Sequence, residues 1–231
     1  MRQGTRTRLL QVMENRLGVI DLNYYKKLKR IEELSEMVAT YTDPEDRILD
    51  LCSGAFLLEC ILEDKGYIFL TAVDVDDRLS SLHKHFTEAG LLKHTIFHKQ
   101  EITEFQSAEL YSFITLYDCA YYPGNNIVSM LPQLQKLLKN GGWIFFDVYD
   151  ESVYRSIRFF YNHFRKKYRN RKMYNLDKVN CALIKNGFEI INVNVELGTK
   201  NIFFKLFLTL IYRFTGRALV VRYLVRKNGV N

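Results

Sequence analysis

The sequence has few of the residues that interrupt regular structure, with only three prolines and twelve glycines among 231 residues. This scarcity argues against long disordered linkers, because such segments are rich in proline, glycine and polar residues. The sequence also lacks the run of about eighteen uncharged apolar residues that a helix needs to span a bilayer. No continuous apolar stretch follows the basic N-terminus. We therefore predict neither a membrane-spanning helix nor a signal peptide.

Cysteine and histidine are also sparse and lack the spacing of ligand sets. The four cysteines, at positions 52, 60, 119 and 181, form no C-x-x-C pair, and the five histidines form no H-x-x-x-H pair. Zinc sites and redox dithiols depend on such spacing. We therefore predict that the protein binds no metal and has free thiols, as expected for a reducing, cytoplasmic location.

Acidic residues are scarce at both ends of the chain. Residues 1–30 hold 8 Lys and Arg against 2 Asp and Glu, and residues 151–231 hold 17 against 4. Residues 31–150 have the opposite balance, with 8 against 20. The basic excess thus lies wholly in the two flanks, which suggests that the flanks meet an acidic partner.

Short apolar runs alternate with segments of helical periodicity. Strands are predicted at residues 47–51, 68–75, 95–99, 113–117, 143–148, 188–195 and 218–226. Helices are predicted at residues 22–41, 56–64, 78–89, 127–139, 151–174, 176–186 and 202–214. This alternation predicts an α/β protein built of βαβ units, with a parallel sheet and right-handed crossovers.

The first two predicted strands end in carboxylates, Asp50 and Asp74, and a small-residue turn at Gly54 follows the first. The carboxyl ends of parallel strands form a ligand crevice, and a glycine lets the ligand approach the backbone. Twenty residues separate Gly54 from Asp74, close to the spacing at which an acid binds ribose hydroxyls. A dinucleotide site needs a glycine-rich turn without an acid. Asp50 and the single glycine instead favour a nucleoside with an amino-acid tail.

Four motifs in chain order resemble those of class I S-adenosylmethionine (SAM) dependent methyltransferases. Residues 50–56 (DLCSGAF) resemble the D-x-G-x-G-x-G loop, with Cys52 and Phe56 replacing two glycines. Residues 72–75 (AVDV) resemble the second motif, residues 100–102 (QEI) the third, and residues 137–145 (LLKNGGWIF) the turn before strand five. Residues 115–118 and 146–148 are also similar to stretches of a small-molecule methyltransferase subset.

The resemblance implies a Rossmann-like, doubly wound and mostly parallel sheet of seven strands, of which the last is antiparallel. Helical elements are expected at the N-terminus and after strand five. We predict one domain over residues 1–231. Its parts are a helical cap (1–46), a SAM-binding core (47–150), a basic helical insert (151–175) and C-terminal strands (176–231) with an apolar helical insert (202–214).

The resemblance also implies which residues bind the parts of SAM. They are Asp50, Cys52 and Gly54 for the methionine end, Asp74 for the ribose, Val75, Glu101 and Ile102 for the adenine, and Tyr117 for the sulfur that bears the methyl group. The alternative for Asp74 and Glu101 is that they are solvated strand ends. For Phe56 we expect packing in the core rather than contact with the methionine tail.

The predicted catalytic residues follow strand four. Methyl transfer depends mainly on placing the acceptor, and a base is needed only if the acceptor must lose a proton. Asp118 could bind or deprotonate an amine or hydroxyl, and Tyr121 or Tyr122 could orient it. The alternative for Asp118 is a cap of the following turn. His163 is a second candidate base, although a lone histidine in a basic segment is more often a surface residue.

Two segments fit more than one kind of methyl acceptor. Residues 154–172 combine eight Lys and Arg with interleaved aromatic residues, which fits RNA binding, a cover over a small acceptor, or a solvated helix. Residues 202–214 fit an acceptor pocket, an anionic membrane interface, or packing on the core. We predict SAM-dependent methylation of N or O of a small, partly apolar molecule. The alternatives are RNA methylation, a membrane-associated lipid or quinone methylase, and non-catalytic SAM binding.

Overall fold

The structure is a computed structural model, and it describes residues 4, 9, 11, 22–122, 124–156, 171–196 and 202–229. The chain forms two compact units, residues 1–115 and residues 116–231. The single domain expected from the sequence stays a prediction. Within the described residues, no helix is both long and apolar enough to cross a membrane.

The first unit is built on four strands and three helices. The helices are α1 (Leu22–Tyr41), α2 (Leu57–Asp64) and α3 (Arg78–Glu88), and the strands are β1 (Ile48–Leu51), β2 (Leu70–Asp74), β3 (Thr95–Lys99) and β4 (Tyr111–Leu116, of which the last residue belongs to the second unit). The four strands are parallel in the order β3-β2-β1-β4.

β1 is a central strand that lies between β2 and β4. All four of its residues are buried, as expected for a central strand of a parallel sheet whose faces are covered by helices. The apolar side chains of α2 and α3 pack with Phe56 and Ala72 in one core cluster. The carboxyl ends of β1 and β2 therefore lie side by side, since Leu51 pairs with Val73.

The second unit is built around a long antiparallel pairing. Its helices are α4 (Ile127–Leu137), α5 (Leu176–Lys185) and α6 (Ile202–Thr215), and its strands are β5 (Leu138–Asp150), β6 (Met173–Tyr174), β7 (Phe188–Glu196) and β8 (Val220–Lys227). β8 pairs antiparallel with both β5 and β7, and β6 pairs parallel with β5. The strand order of the chain is β3-β2-β1-β4-β5-β8-β7, so the predicted mostly parallel sheet with an antiparallel last strand is confirmed.

Two predicted boundaries are wrong. The predicted helix 127–139 ends at Leu137, and β5 already begins at Leu138, so Asn140-Gly141-Gly142 lies inside the strand. An Asn-Gly-Gly run is a turn signal, but glycine also allows an irregular strand, and Gly141 has φ +75°. Residues 173–174, predicted as helix, form β6, which makes eight strands rather than seven. This pairing depends on Tyr149 and Asp150, which are distant in sequence.

The described residues include only part of the predicted basic insert. Residues 151–156 are helical as predicted, whereas residues 157–170, including His163, lie outside the described residues. The same holds for most of the predicted N-terminal cap before residue 22.

Two cysteines differ from the prediction. Cys60 is buried, Cys181 is exposed, and both thiols are free. Cys52 and Cys119 are disulfide-bonded, so the prediction of free thiols is wrong for these two. Sequence spacing does not reveal disulfide bonding, because the fold brings the partners together. The cytoplasmic location, which was inferred from free thiols, stays a prediction.

We expect the Glu63 side chain at the end of α2 to stabilise the first unit. Its carboxylate accepts hydrogen bonds from the backbone N–H groups of Lys93, His94 and Thr95 and from the Thr95 hydroxyl. Glu63→Ala should lower the free energy of unfolding by about 2 kcal/mol, since hydrogen bonds to a charged group are each worth about 1.5–3 kcal/mol. Urea unfolding measures the change. The exposed Glu45 is the matched control, and equal effects of Glu45→Ala and Glu63→Ala would contradict the prediction.

Candidate cofactor site

In the loop after β1, every second residue has a left-handed backbone conformation. Cys52, Gly54 and Phe56 have φ values of 66°, 57° and 56°. These are the three positions at which the D-x-G-x-G-x-G loop has glycines, so the backbone adopts a conformation that favours glycine at all three although two glycines are absent. A left-handed conformation costs a non-glycine residue about 1–2 kcal/mol, so two residues bear strain here.

Burial of Phe56 helps to offset its strain. The side chain is fully buried, and its ring meets the rings of Phe97 and His83 edge-on, with centroids 5.1 and 5.4 Å apart. The expectation that Phe56 packs in the core is confirmed. Burying a phenylalanine is worth about 1.5–3 kcal/mol, which is comparable to the cost of the backbone conformation.

The Asp74 carboxylate ties this loop to the end of β2. Its Oδ2 accepts a hydrogen bond from the Gly54 N–H at 3.0 Å, and its Oδ1 accepts one from the Asp76 N–H at 3.0 Å. The Cys52 and Ser53 N–H groups donate to the Val73 carbonyl. Asp74 is therefore not a free strand end. Each carboxylate oxygen can accept further donors, so binding of ribose hydroxyls remains open to it.

Asp50 lies behind the loop and is 8% exposed. Its carboxyl accepts a hydrogen bond from the Thr115 hydroxyl. Burial and, to a lesser extent, the nearby Asp74 charge raise the pKa of Asp50 to about 7 against the opposing effect of the Thr115 hydrogen bond. The carboxyl of Glu59, on α2, is a close neighbour whose pKa burial and the Asp50 charge raise well above its usual value. Sequence reasoning missed Glu59, because its position in an apolar helix gave no signal.

The end of β3 reaches the same region through its backbone. The Gln100 N–H donates to the Asp74 carbonyl at 3.1 Å, which places the QEI motif beside Asp74. The Glu101 and Val75 side chains are exposed and Ile102 is buried. The structure thus brings together Asp50, the loop and Asp74, whereas the adenine roles of Val75, Glu101 and Ile102 stay predictions.

In the second unit, Asp118 is held by two hydrogen bonds. Its N–H donates to Asp147 Oδ1 at 2.8 Å, and its own Oδ1 accepts from the Tyr121 hydroxyl at 2.5 Å. Asp118 has φ 55°, a conformation that aspartate tolerates better than most residues. Asp147 is buried and was missed as a partner, although it belongs to the stretch that resembles the small-molecule methyltransferases.

The Arg171 guanidinium group lies over the rings of Tyr121 and Tyr122. The rings stack with centroids 5.4 Å apart, and the Arg171 guanidinium carbon lies 4.6 and 4.0 Å from their centroids. Burial, and then the charge of Asp118, raise the pKa of Tyr121 far above its usual value. Tyr121 therefore stays protonated and can donate or orient, but it cannot act as a base. Arg171 was not predicted, because it appeared only as one cation of the basic segment.

Tyr117, predicted to lie over the SAM sulfur, is buried in the second unit. The Arg222 guanidinium lies over its ring, 5.7 Å from the centroid, and donates to its hydroxyl at 3.4 Å. These contacts fix the ring without showing a ligand, so the role of Tyr117 stays a prediction. Among the described residues, no group of three or more His, Cys, Asp and Glu side chains could hold a metal ion.

Comparison with known proteins gives the class. A family profile described as a methyltransferase domain matches residues 23–193, and the chain belongs to this family. The predicted enzyme class, a methyltransferase (EC 2.1.1.-), is therefore confirmed. No curated protein sequence matches the chain significantly.

Solved structures share the fold at low sequence identity. Magnesium protoporphyrin IX methyltransferase from Synechocystis PCC 6803, with bound S-adenosylhomocysteine (SAH), has a TM-score of 0.64 and 12% identity over 98% of this chain and 95% of that one. A methyltransferase from Mesorhizobium loti described as S-adenosylmethionine dependent has a TM-score of 0.61 and 13% identity, over 85% and 100% of the two chains. The [4+2]-cyclase SpnF, at 0.61 and 12% over 86% and 82%, shows that the fold alone does not determine the reaction. The predicted Rossmann-like fold is confirmed.

The residues of the first unit fit SAM, the cofactor that the family implies. SAM presents an ammonium group and ribose hydroxyls, both of which need hydrogen-bond acceptors. Asp50 in β1 can provide a carboxylate for the ammonium group, and Asp74 at the end of β2 can provide one for the ribose hydroxyls. The Ser53 hydroxyl and both Glu59 carboxyl oxygens are buried without a hydrogen-bond partner. Such orphaned polar groups need an explanation, and a polar ligand at the loop would supply one for Ser53.

We expect Asp74→Ala to weaken the binding of SAH more than tenfold. The variant removes the acceptor for the Gly54 and Asp76 N–H groups, and each hydrogen bond to a charged group is worth about 1.5–3 kcal/mol, where 1.4 kcal/mol is tenfold in affinity. Isothermal titration calorimetry measures the dissociation constant.

The matched control is Asp77→Ala. The Asp77 carboxylate is exposed, and it forms an ion pair with the half-exposed Lys99. Exposed ion pairs contribute about 0–1 kcal/mol. The dissociation constant of this variant for SAH should therefore lie within about threefold of that of the original protein. Unchanged affinity of Asp74→Ala would remove Asp74 from the cofactor site.

Proposed function

We propose that the protein transfers the methyl group of SAM to a nitrogen or oxygen atom of a small, partly apolar molecule. The observation that carries the cofactor part is the loop of residues 52–56, which has left-handed residues at the three glycine positions of the methyltransferase motif and is held by the Asp74 carboxylate. The structures of the magnesium protoporphyrin IX methyltransferase with SAH and with SAM support the same cofactor.

The Asp118 cluster supports the acceptor part. It offers aromatic surface from Tyr121, Tyr122 and Tyr149, together with a carboxylate and a guanidinium. Ligand sites for small molecules combine apolar walls with a few placed polar groups. A mixed acceptor, with rings or alkyl groups beside an amine or hydroxyl, suits this composition better than a wholly polar one.

The chain itself has two chemical tasks in this proposal. SAM, when bound, supplies an electrophilic methyl group with a good leaving group. The chain must hold the acceptor atom for in-line attack, which accounts for most of the acceleration in such reactions. Asp118 can accept a hydrogen bond from an amine or hydroxyl and then its proton. Tyr121 keeps its own proton and fixes the orientation of Asp118 through their 2.5 Å hydrogen bond.

We expect Asp118→Asn to lower kcat by about a hundredfold or more, the usual contribution of a positioned base, while the affinity for SAH changes little. Asparagine tolerates the φ of 55° at this position, so the loop should keep its shape. The measurement is SAH formation with a panel of small amines, phenols and carboxylic acids. Asp177→Asn, at an exposed site of α5 in the same unit, is the control. Equal turnover of Asp118→Asn and the original protein would remove Asp118 from the mechanism.

A second candidate function, methylation of a membrane-borne lipid or quinone, is favoured by the two faces of α6. On one face Leu208 is buried in a cluster that includes Tyr121 and Tyr149. On the other, apolar side chains face solvent, with Phe214 82% exposed. The exposed apolar residues of this face are Leu206, Leu210 and Phe214. Lys205, Arg213 and Arg217 are exposed cations of the same segment.

This arrangement suits an anionic membrane surface. Apolar side chains enter the interface while Lys and Arg stay at the level of the headgroups. α6 would then connect the membrane surface to the Tyr121 cluster within one unit. The RNA alternative depends on residues 154–172, most of which lie outside the described residues, and gains no support from the described ones.

We expect the protein to bind vesicles that contain phosphatidylglycerol, and Phe214→Asp to weaken this binding about tenfold or more. Burying one phenylalanine is worth about 1.5–3 kcal/mol, and each 1.4 kcal/mol is tenfold. Co-sedimentation with vesicles measures the affinity. Ile184→Asp is the matched control, because Ile184 is an equally apolar residue on α5 with 68% exposure. Absence of binding, or equal loss in both variants, would exclude the membrane candidate.

A further inference from the structure

The Glu59 carboxyl group has an environment that packing does not explain. Glu59 lies in the first turn of α2 and is 2% exposed. Neither of its carboxyl oxygens has a hydrogen-bond partner. On the same helix, Glu63 has four donors to its carboxylate. The contrast shows that this helix can satisfy a carboxylate, but that Glu59 is left unsatisfied.

Leaving a buried carboxyl without partners costs stability. Burying a polar group without a hydrogen bond costs about 1–3 kcal/mol in proteins, and a charge costs far more. An apolar residue of similar size would suit the core formed by Leu57, Cys60 and Ile61 better. The carboxyl therefore weakens the fold of the first unit, and its presence calls for a role outside stability.

The groups around Glu59 are acidic. Asp50 at the end of β1 is its nearest ionisable neighbour, Asp74 on β2 acts on Asp50, and Glu63 and Cys60 belong to its own helix. The charges that act most strongly on Glu59 and Asp50 are thus negative. Burial and the Asp50 charge raise the pKa of Glu59 well above its usual value, so that of the two carboxyls Glu59 holds a proton more readily.

We propose that Glu59 is a positioning residue of the cofactor site, which holds a proton beside Asp50 in the free protein and releases it to solvent when a ligand's ammonium group binds at Asp50. One proton leaves the neutral carboxyl for each ammonium group that binds beside the pair, so the net charge of the site is unchanged. The ligand class is an α-amino acid attached to a nucleoside, and the inference rests on the proposed binding of SAM.

Charge complementarity supports the cation rather than another ligand. An anion or a neutral sugar would leave two buried carboxyls uncompensated, whereas an ammonium group next to Asp50 favours the ionised form of both. Proton release then makes cofactor affinity rise with pH. Each proton released adds up to tenfold in affinity per pH unit, by linkage. Below the pKa of Asp50, near 7, both carboxyls are protonated and binding should be weakest.

Calorimetric titration of the protein with SAH tests the proposal. Titration at pH 7.5 in phosphate and in Tris, buffers of different ionisation enthalpy, gives the number of protons released. We expect release from the original protein, and at most half of that release from Glu59→Gln, which keeps the size of the side chain but cannot ionise. Affinity between pH 6 and pH 8 should also rise less steeply in Glu59→Gln.

Three controls separate this role from a structural one. 5′-Methylthioadenosine has the nucleoside and the sulfur but no amino-acid tail, so it should release no protons from either protein. Glu63→Gln, one turn further along α2, should lower stability but leave the proton release with SAH unchanged. Glu59→Leu should raise the melting temperature and release as few protons as Glu59→Gln, so that poor folding of one variant does not decide the result.

The outcomes distinguish the two proposals. If SAH does not bind to the original protein, the proposed cofactor site fails and the inference fails with it. If SAH binds and Glu59→Gln releases as many protons as the original protein, Glu59 has no part in the site, while the proposed function stands. Equal proton release with 5′-methylthioadenosine would show that the tail's ammonium group is not the trigger.

Discussion

The hydrogen bond from the Gly54 N–H to the Asp74 carboxylate is the contact on which the candidate cofactor site depends. It joins the turn after β1 to the end of β2, two parallel strands that are neighbours in the sheet. Because Asp74 holds the turn, the turn can keep its left-handed residues, and the acid that precedes it stays behind the loop. Without this contact, the strained turn would lose its side-chain link to β2.

Strain and unsatisfied charge are concentrated in this small part of the first unit. Cys52 and Phe56 have backbone conformations that favour glycine, and Glu59 has a buried carboxyl without partners. Elsewhere in the unit, comparable groups are satisfied, as the four donors to Glu63 show. Proteins store strain and perturbed ionisation at functional sites more often than elsewhere. The distribution agrees with a binding role for this loop, which the family assignment supports independently.

Strand and helix order could be read from the sequence because hydrophobic periodicity and turn residues are local signals. The β3 strand at residues 95–99 was predicted with the bounds observed. Errors occurred where a local signal has two meanings or where pairing is distant. Asn140-Gly141-Gly142 reads as a turn but lies in a strand, and β6 exists only because Tyr149 and Asp150 offer it an edge. The bonding of Cys52 and Cys119 was likewise hidden, since no local pattern marks it.

The sequence by itself determined the α/β class, the position of the loop between two acids, and the spacing that points to a nucleoside. These depend on residue type and order, which a chain carries before it folds. Only the tertiary structure decided that Cys52 and Phe56 adopt left-handed conformations at glycine positions of the motif, that Glu59 and Asp50 are electrostatic neighbours, and that the Arg171 guanidinium lies over the rings of Tyr121 and Tyr122. These are contacts between distant segments, whose free energies depend on burial and mutual distance, and no spacing along the chain encodes either quantity.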